Sequence, residues 1–245
     1  MRRTQVALLR LQSYLSWIFV VLIEAPIFLL LMRFFSVRVF HKENLKGLKP
    51  PFILVSNHLS LIDSWFGVYP VAWPKFLWKH WLLPWHLPEA TNYFRGLQAV
   101  LVWLSRSIPI ARGSGARQVA VALEKVVEVL KKGESVYIFP EGTRSRTGRI
   151  GDCTTGIGRI YKKVPHCTIL PIYLRGMENV LPIGVKFPRL FKKIDVVIGE
   201  PVRLKTEYSG LRANKVIAEQ IFKILVNMEK EYFESSQYRS KEIVQ

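Results

Sequence analysis

Residues 56–65 read SNHLSLIDSW and follow the apolar run PFILV at 51–55. An imidazole, His58, and a carboxylate, Asp63, stand five residues apart in this stretch. On a regular helix five residues turn about 140°, so the two side chains would not share a face, and a pair that works together needs a bend. Ser60 with Asp63 three positions later fits a capping box, which starts a helix at Leu61 and accounts for Asp63 without any catalysis. The same box supplies the bend, because His58 then sits in the turn before the helix and can fold back until its Nδ1 meets the carboxylate. A histidine held in this way is a general base: the carboxylate fixes the tautomer and stabilises the imidazolium that forms when Nε2 takes a proton. Ser60 lies too close to His58 in sequence to act as an in-line nucleophile, and the chain contains no G-x-S-x-G elbow.

A second informative stretch is FPEGTRSR at 139–146, directly after the strand-like SVYIF. Pro140 ends the strand, and Gly142 lets the backbone turn tightly. Arg144 then projects near the end of the sheet, as does Arg112 in SIPIARG after another apolar run. Guanidinium forks match phosphate oxygens, so these arginines can converge on one phosphate. Glu141 and Arg144, in a tight turn after a buried strand, read as functional; Arg146 and Arg149 read as a solvated basic turn.

The 245 residues suffice for one α/β domain with an appendage, and 49% hydrophobic content fills a real core. Thirty-six Lys and Arg against 18 Asp and Glu give a net charge of +18, which calls for a negatively charged partner. The excess sits in the middle: 143–194 hold eleven basic and two acidic residues, whereas 204–245 hold seven and six. Nucleic acid is the poorest of the anionic partners, because the basic residues mark no recognition helix or aromatic sheet. Cys153 and Cys167 alone suggest neither a disulfide framework nor a metal site, and fit a reducing compartment.

From Tyr14 to Met32 the only charge is Glu24, and nineteen helical residues span roughly the 30 Å core of a bilayer. No cleavage site follows, so the segment is expected to be retained. Arginines flank both ends and give no clean orientation. Pro26 offers an alternative to spanning, a split into two short helices that dip into one leaflet and return. Five of the seven tryptophans fall between Trp65 and Trp85, among prolines and lysines. That mixture suits a headgroup layer, with ordinary core packing as the alternative.

The runs SVRVF, PFILVS, SIPIA, SVYIF, TILPIYL and KIDVVIG alternate with helical patterns, which predicts an α/β fold with a mixed, mostly parallel sheet flanked by helices. Apolar stripes predict helices over 117–132 and 211–233, the latter with Ser209 as its cap. The organisation read from these signals is a membrane-associated segment at 1–35, a domain at 36–234 and a frayed polar tail at 235–245.

In this order, SNHLSLID, IPIARG, FPEGTRS and LPIYLRG resemble the four sequence blocks of the glycerolipid acyltransferases, and together they cover Asn57 to Gly176. The resemblance implies an acyltransferase domain docked on a membrane by an N-terminal helix or two-helix motif, facing the cytoplasm and using no metal. It implies His58 as base and Asp63 as its orienter. Asn57, Arg112, Glu141, Gly142, Thr143 and Arg144 would bind substrate. It further implies transfer of an acyl chain from acyl-CoA or acyl-ACP, as co-substrate rather than cofactor, to the hydroxyl of a lysophospholipid. Beyond these blocks, GIGRIY, ILPIYLRGMENVLP and FPRLFKKIDVVIGEPV look more like tafazzin, whose branch moves acyl chains between phospholipids without a thioester. A basic membrane-anchored binding protein without catalysis is the remaining rival.

Overall fold

Six strands form one sheet in the order β1-β6-β5-β2-β4-β3. The structure is a computed structural model and describes residues 3–93, 96–111, 113, 115–205 and 207–241. In chain order the elements are α1 (Arg3–Phe19), a π-helical turn (Val20–Glu24), α2 (Ala25–Met32), β1 (Ser36–Phe40), β2 (Phe52–Ser56), α3 (Asp63–Ala72), β3 (Trp85–His86), α4 (Ala90–Tyr93), α5 (Gly96–Leu104), α6 (Ala116–Lys131), β4 (Val136–Ile138), α7 (Gly156–Lys163), β5 (Thr168–Arg175), α8 (Met177–Val180), β6 (Lys193–Ile198) and α9 (Gly210–Lys241). Strand β5 runs parallel to β2, β2 to β4 and β4 to β3, while β6 is antiparallel to β5 and parallel to β1.

Both faces of the sheet are covered, so its central strands are apolar throughout rather than alternating. All five residues of β2 are buried. Ile53 and Val55 face a core with Val126, Leu130, Ile157, Ile221 and Leu225 from α6, α7 and α9. Phe52 and Leu54 face the other core, with Phe28 from α2, Phe66 from α3, and Ile172 and Val196 from the neighbouring strands. At the β1 edge Asp195 is buried, and its carboxylate takes both forks of Arg38 (2.7 and 2.6 Å) and the Tyr232 hydroxyl (2.6 Å), tying edge strand to long helix.

The N-terminal apolar segment forms a single rod. Pro26 has no N–H to donate, and the ladder before it widens into the π turn, where Ala25 donates to Val20 O. Residues on both sides keep right-handed helical angles, and Pro26 sits in the first turn of α2, where a missing donor is tolerated. Of the two alternatives left open by Pro26, the segment takes the single helix rather than the dip-and-return pair. Polar side chains bind the rod to the domain along its length: Gln12 donates to Trp103 O and Ser107 O (3.0 Å each), Ser13 to Glu134 (3.3 Å), Trp17 Nε1 to Phe76 O (2.7 Å), and Ser105 hydrogen-bonds Glu24. Glu134 in turn pairs with the fully buried Arg106 at 2.6 Å.

SIPIA makes only isolated bridges, Ser107 with His86 and Glu89 with Ile110. Pro109 has no N–H for a ladder, which keeps the run from becoming a strand. The last helix runs on to Lys241, through most of the stretch read as a frayed tail; no glycine or proline interrupts residues 211–241. Of the clustered tryptophans, Trp85 is core, Trp65 and Trp73 are half-buried, and Trp78 and Trp81 are exposed.

Helices α7 and α9 meet closely because Gly158 has no side chain: a Cβ there would lie 1.9 Å from the Asn214 carbonyl oxygen. Gly158→Ala must push two backbones apart, an overpacking cost of about 1–3 kcal/mol. Thermal unfolding in detergent should show a melting temperature lower by several degrees, at about 2–4 °C per kcal/mol for a chain of this size.

Candidate active site

The first loop of the site is built by one carboxylate. Asp63 opens α3 and is fully buried, and its Oδ2 accepts the N–H of Leu59 (2.6 Å), the N–H of Ser60 (2.8 Å) and the Nδ1–H of His58 (2.9 Å). Ser60 Oγ reciprocates by accepting the N–H of Ile62 at 3.2 Å. The capping box and the His–Asp pair are thus a single arrangement, and the helix starts two residues later than the box alone suggests.

The imidazole is fixed from three sides. Its Nδ1 is committed to Asp63, and its ring lies flat on Phe139, with centroids 3.9 Å apart and planes 13° apart. Its backbone N–H donates to Glu141 Oε1 at 2.9 Å, and its carbonyl accepts the Ser145 N–H at 2.7 Å. The His58 side chain stays 19% exposed while Asp63 is sealed. The ring nitrogen away from Asp63 is therefore the one available to a substrate.

The FPEGTRSR turn wraps this histidine. Gly142 holds φ at +74° and donates its N–H to Phe139 O at 3.0 Å, a tight turn that an L side chain would strain. Glu141 is buried, and its second oxygen takes the Gly151 N–H at 2.9 Å, so the carboxylate clasps His58 to the far side of the loop. Burial raises the Glu141 carboxyl above its ordinary value, against the N–H groups of Gly151 and His58, which pull it down. Thr143 is exposed and Arg144 half-exposed just beyond. Asn57 is buried, and its amide makes a reciprocal pair with Leu174, donating to the carbonyl and accepting the N–H, both at 2.8 Å. It pins the end of β2 to β5 with its carbonyl oxygen and one amide hydrogen. Arg112 lies outside the described residues.

Thus His58, Asp63, Glu141 and Gly142 come together, with Thr143 and Arg144 at the rim and Asn57 behind. Arg149, read as merely solvated, stacks over Phe233 with its guanidinium carbon 4.3 Å from the ring, and Arg175 lies over the same ring at 5.1 Å. Sequence reasoning missed Phe139 as the platform under the imidazole. Its position as the last residue of an apolar run, in register with the end of β2, was the available signal. Also missed was a cavity of about 430 Å³ beside the site, lined by Phe139, Gly142, Thr154 and Thr155 together with apolar residues such as Val119 and Leu123.

Comparison with known proteins bears on this geometry. The family model described as Acyltransferase matches residues 36–175, more than half of the chain. The chain belongs to the acyltransferase family. It is 28% identical over 199 residues to the chloroplastic 1-acyl-sn-glycerol-3-phosphate acyltransferase of Arabidopsis thaliana, covering 80% of this chain and 50% of that one. It is 27% identical over 209 residues to tafazzin of Drosophila melanogaster, covering 80% and 53%. The chain thus spans about half the length of these curated relatives. Its fold matches the crystal structure of the 1-acyl-sn-glycerophosphate acyltransferase PlsC of Thermotoga maritima, with a TM-score of 0.53, 20% identity, and coverage of 91% of this chain and 97% of that one.

Glu141→Gln keeps the shape but offers one acceptor where two N–H groups need one each. The variant should lose about 1–3 kcal/mol of stability in thermal unfolding, the cost of an unsatisfied buried donor. The pH dependence adds a sign. A carboxyl raised in the folded state favours folding while protonated, and that contribution fades as pH rises from its ordinary value of about 4.5 through the raised one. Melting temperature plotted against pH should therefore decline over that window in the parent chain and lose this decline in Glu141→Gln.

Proposed function

We propose that this chain transfers a fatty acyl group from a coenzyme A or acyl-carrier-protein thioester to the free hydroxyl of a lysophospholipid, with His58 as general base. The observation that carries the reading is the 2.9 Å contact of His58 Nδ1 with a sealed Asp63 beside a partly open imidazole. In the first step His58 Nε2 takes the proton of the acceptor hydroxyl as its oxygen attacks the thioester carbonyl. The Nδ1–H bond to Asp63 stabilises the imidazolium. As the tetrahedral centre collapses, the C–S bond breaks and the imidazolium gives its proton to the leaving thiolate. No enzyme-bound acyl intermediate and no metal enters these steps.

The other residues take supporting roles in this reading. Asn57 and Glu141 position the loop, because their polar atoms are occupied by backbone groups rather than offered to the cleft. Gly142 and Thr143 shape the acceptor site, and Arg144, with Arg112, holds the phosphate. The apolar cavity beside Phe139 accommodates hydrocarbon. Attachment to the membrane falls to the N-terminal rod. Its domain side carries the polar contacts together with buried Val20, Ala25 and Phe28, and Leu8, Leu11, Leu15, Ile18 and Leu22 form an outward stripe beside exposed Leu97 and Leu101 of α5. A rod held along its whole length against the domain lies on a bilayer rather than through it. Both cysteines are free, which fits a domain facing a reducing cytoplasm.

The likeness to tafazzins supports one competing reading, direct transfer from a phospholipid to a lysophospholipid. Acyl transfer in mixed micelles, with and without acyl-CoA, separates the two. Dependence on the thioester is the expected result, and undiminished transfer without it would replace the donor assigned above.

His58→Ala should lower turnover by at least about 10²–10⁴-fold, the contribution of a positioned general base, in a variant that still unfolds cooperatively though at a somewhat lower melting temperature, since buried Asp63 loses one of its three donors; near-parental turnover would remove the assignment. Arg144→Ala should raise the apparent KM for the phosphorylated acceptor about tenfold or more, in line with loss of a charge-assisted hydrogen bond. An unchanged KM in steady-state kinetics would exclude it from the phosphate site.

A further inference from the structure

The segment between α8 and β6, LPIGVKFPRLFKK at 181–193, is unlike an ordinary connection. Its two phenylalanines are nearly free of the protein, with Phe187 78% and Phe191 80% exposed, and Ile183 and Leu190 are exposed as well. Lys186, Arg189, Lys192 and Lys193 alternate with them, and the segment contains no acidic residue. Among the described residues none of these four cations meets a carboxylate. Exposed aromatic rings cost free energy in water, and a run of unpaired cations repels itself. A partner that takes rings and cations together relieves both.

The segment is also held in place. Arg189 N–H donates to Val180 O (2.7 Å), Val185 N–H to Pro182 O (3.1 Å), and Ser36 N–H to Lys192 O (3.1 Å), while Val185 packs into the core. Phe191 holds φ at +60°, a conformation bulky residues seldom adopt, and its N–H donates to Phe34 O at 2.8 Å. Its ring meets Phe34 edge to face, with centroids 6.0 Å apart. Phe34 lies two residues past the end of α2. The aromatic and basic tip thus adjoins the end of the apolar rod.

Topology places this tip at the catalytic end of the sheet. β5 and β2 are parallel, so Arg175 and His58 leave the sheet on the same side. The antiparallel β6 begins there, and so does β1, with Ser36 opposite Lys193. The segment, the end of the rod and the His58 loop therefore share one end of the molecule.

The geometry points to a second membrane contact: residues 183–193 seat Phe187 and Phe191 at the headgroup layer of an anionic bilayer, with the four cations on lipid phosphates. Phenylalanine rings partition into the acyl boundary, long cationic side chains reach back to the headgroups, and each cation near an anionic surface adds to the attraction. With the rod this makes two anchors flanking the catalytic end, so the His58 cleft is presented to lipid at headgroup depth. The inference rests on the membrane attachment proposed for the rod, and its test separates the two.

A photo-reactive benzoyl-phenylalanine replaces Phe187, Leu22 on the outer stripe of the rod, or Glu200 past the opposite end of β6, one position per variant of the full chain. Each is irradiated on mixed phosphatidylcholine and phosphatidylglycerol vesicles, and lipid adducts are read by mass spectrometry. Adducts at 187 and 22, with none at 200, are expected. An adduct at 22 without one at 187 overturns the second contact and leaves the rod's attachment standing, whereas adducts at neither overturn both. Cross-links from 187 to a second copy of the chain would assign the surface to self-association and overturn the lipid contact. As an independent readout, Phe187→Ser with Phe191→Ser should raise the vesicle concentration giving half-maximal binding about tenfold or more on anionic vesicles, while turnover of a water-soluble short-chain lysolipid stays at the parental rate. Unchanged vesicle binding would overturn it.

Discussion

One oxygen of Asp63 organises the site. A buried carboxylate is tolerated only when donors replace its water, and Oδ2 receives three within 2.9 Å, two from the backbone and one from His58. The two backbone donors belong to the turn that precedes α3, and Asp63 is the first residue of that helix, so the charge that orients the imidazole also closes the turn from which α3 leaves. The bend that brings residues 58 and 63 together and the helix that leads away from it follow from the same contact. A neutral side chain of the same size would offer a weaker acceptor to all three donors.

The second loop makes the first rigid. Phe139 ends an apolar strand and presents its ring to the imidazole face, and Pro140 and Gly142 reverse the chain so that Glu141 and Ser145 bond the His58 backbone. Reorientation of the imidazole is thus opposed by a carboxylate on its edge and a ring on its face, with the backbone held at both N–H and carbonyl. In the role proposed for it, an imidazole held this firmly would lose little entropy when a substrate arrives, which is where positioned catalysis gains over a free imidazole.

Much of this arrangement was legible in the chain. Five strands coincide with predicted runs, and β2, β4 and β5 are apolar almost throughout because a sheet covered on both faces needs no alternation there, while the stripe predicting 117–132 appears as Ala116–Lys131. The His58–Asp63 pair was readable because a cap and a base demand the same turn. Other features depend on contacts that pattern does not encode. β3 is two residues set between Pro84 and Pro88, too short for a period, and α5 is apolar enough to resemble a strand. Pro26 left a break open as an alternative to one continuous helix because local rules cannot see a π turn taking up its missing donor. Asn57 and Glu141 carry polar groups of the kind that bind substrates, yet both spend them on the backbone of distant strands and loops.

The rod and the domain are joined by polar contacts along the rod as well as by the apolar packing of Val20, Ala25 and Phe28. Gln12, Ser13, Ser16 and Glu24 sit on an otherwise greasy helix, and their partners, Trp103 O, Ser105, Ser107 O and Glu134, belong to the domain. If the rod left the domain to cross a bilayer, these side chains would enter hydrocarbon unpaired. Glu134 would lose the Ser13 hydroxyl, one of the donors around its pair with buried Arg106. Each such exposure costs at least about 1–3 kcal/mol. The outward face, by contrast, is mostly aliphatic, with Leu8, Leu11, Leu15, Ile18 and Leu22 exposed beside Tyr14. Under the attachment proposed for the rod, its hydrogen-bonding side selects the domain and its exposed aliphatic side the membrane surface, which would set the His58 end of the sheet at the depth where lipid hydroxyls lie.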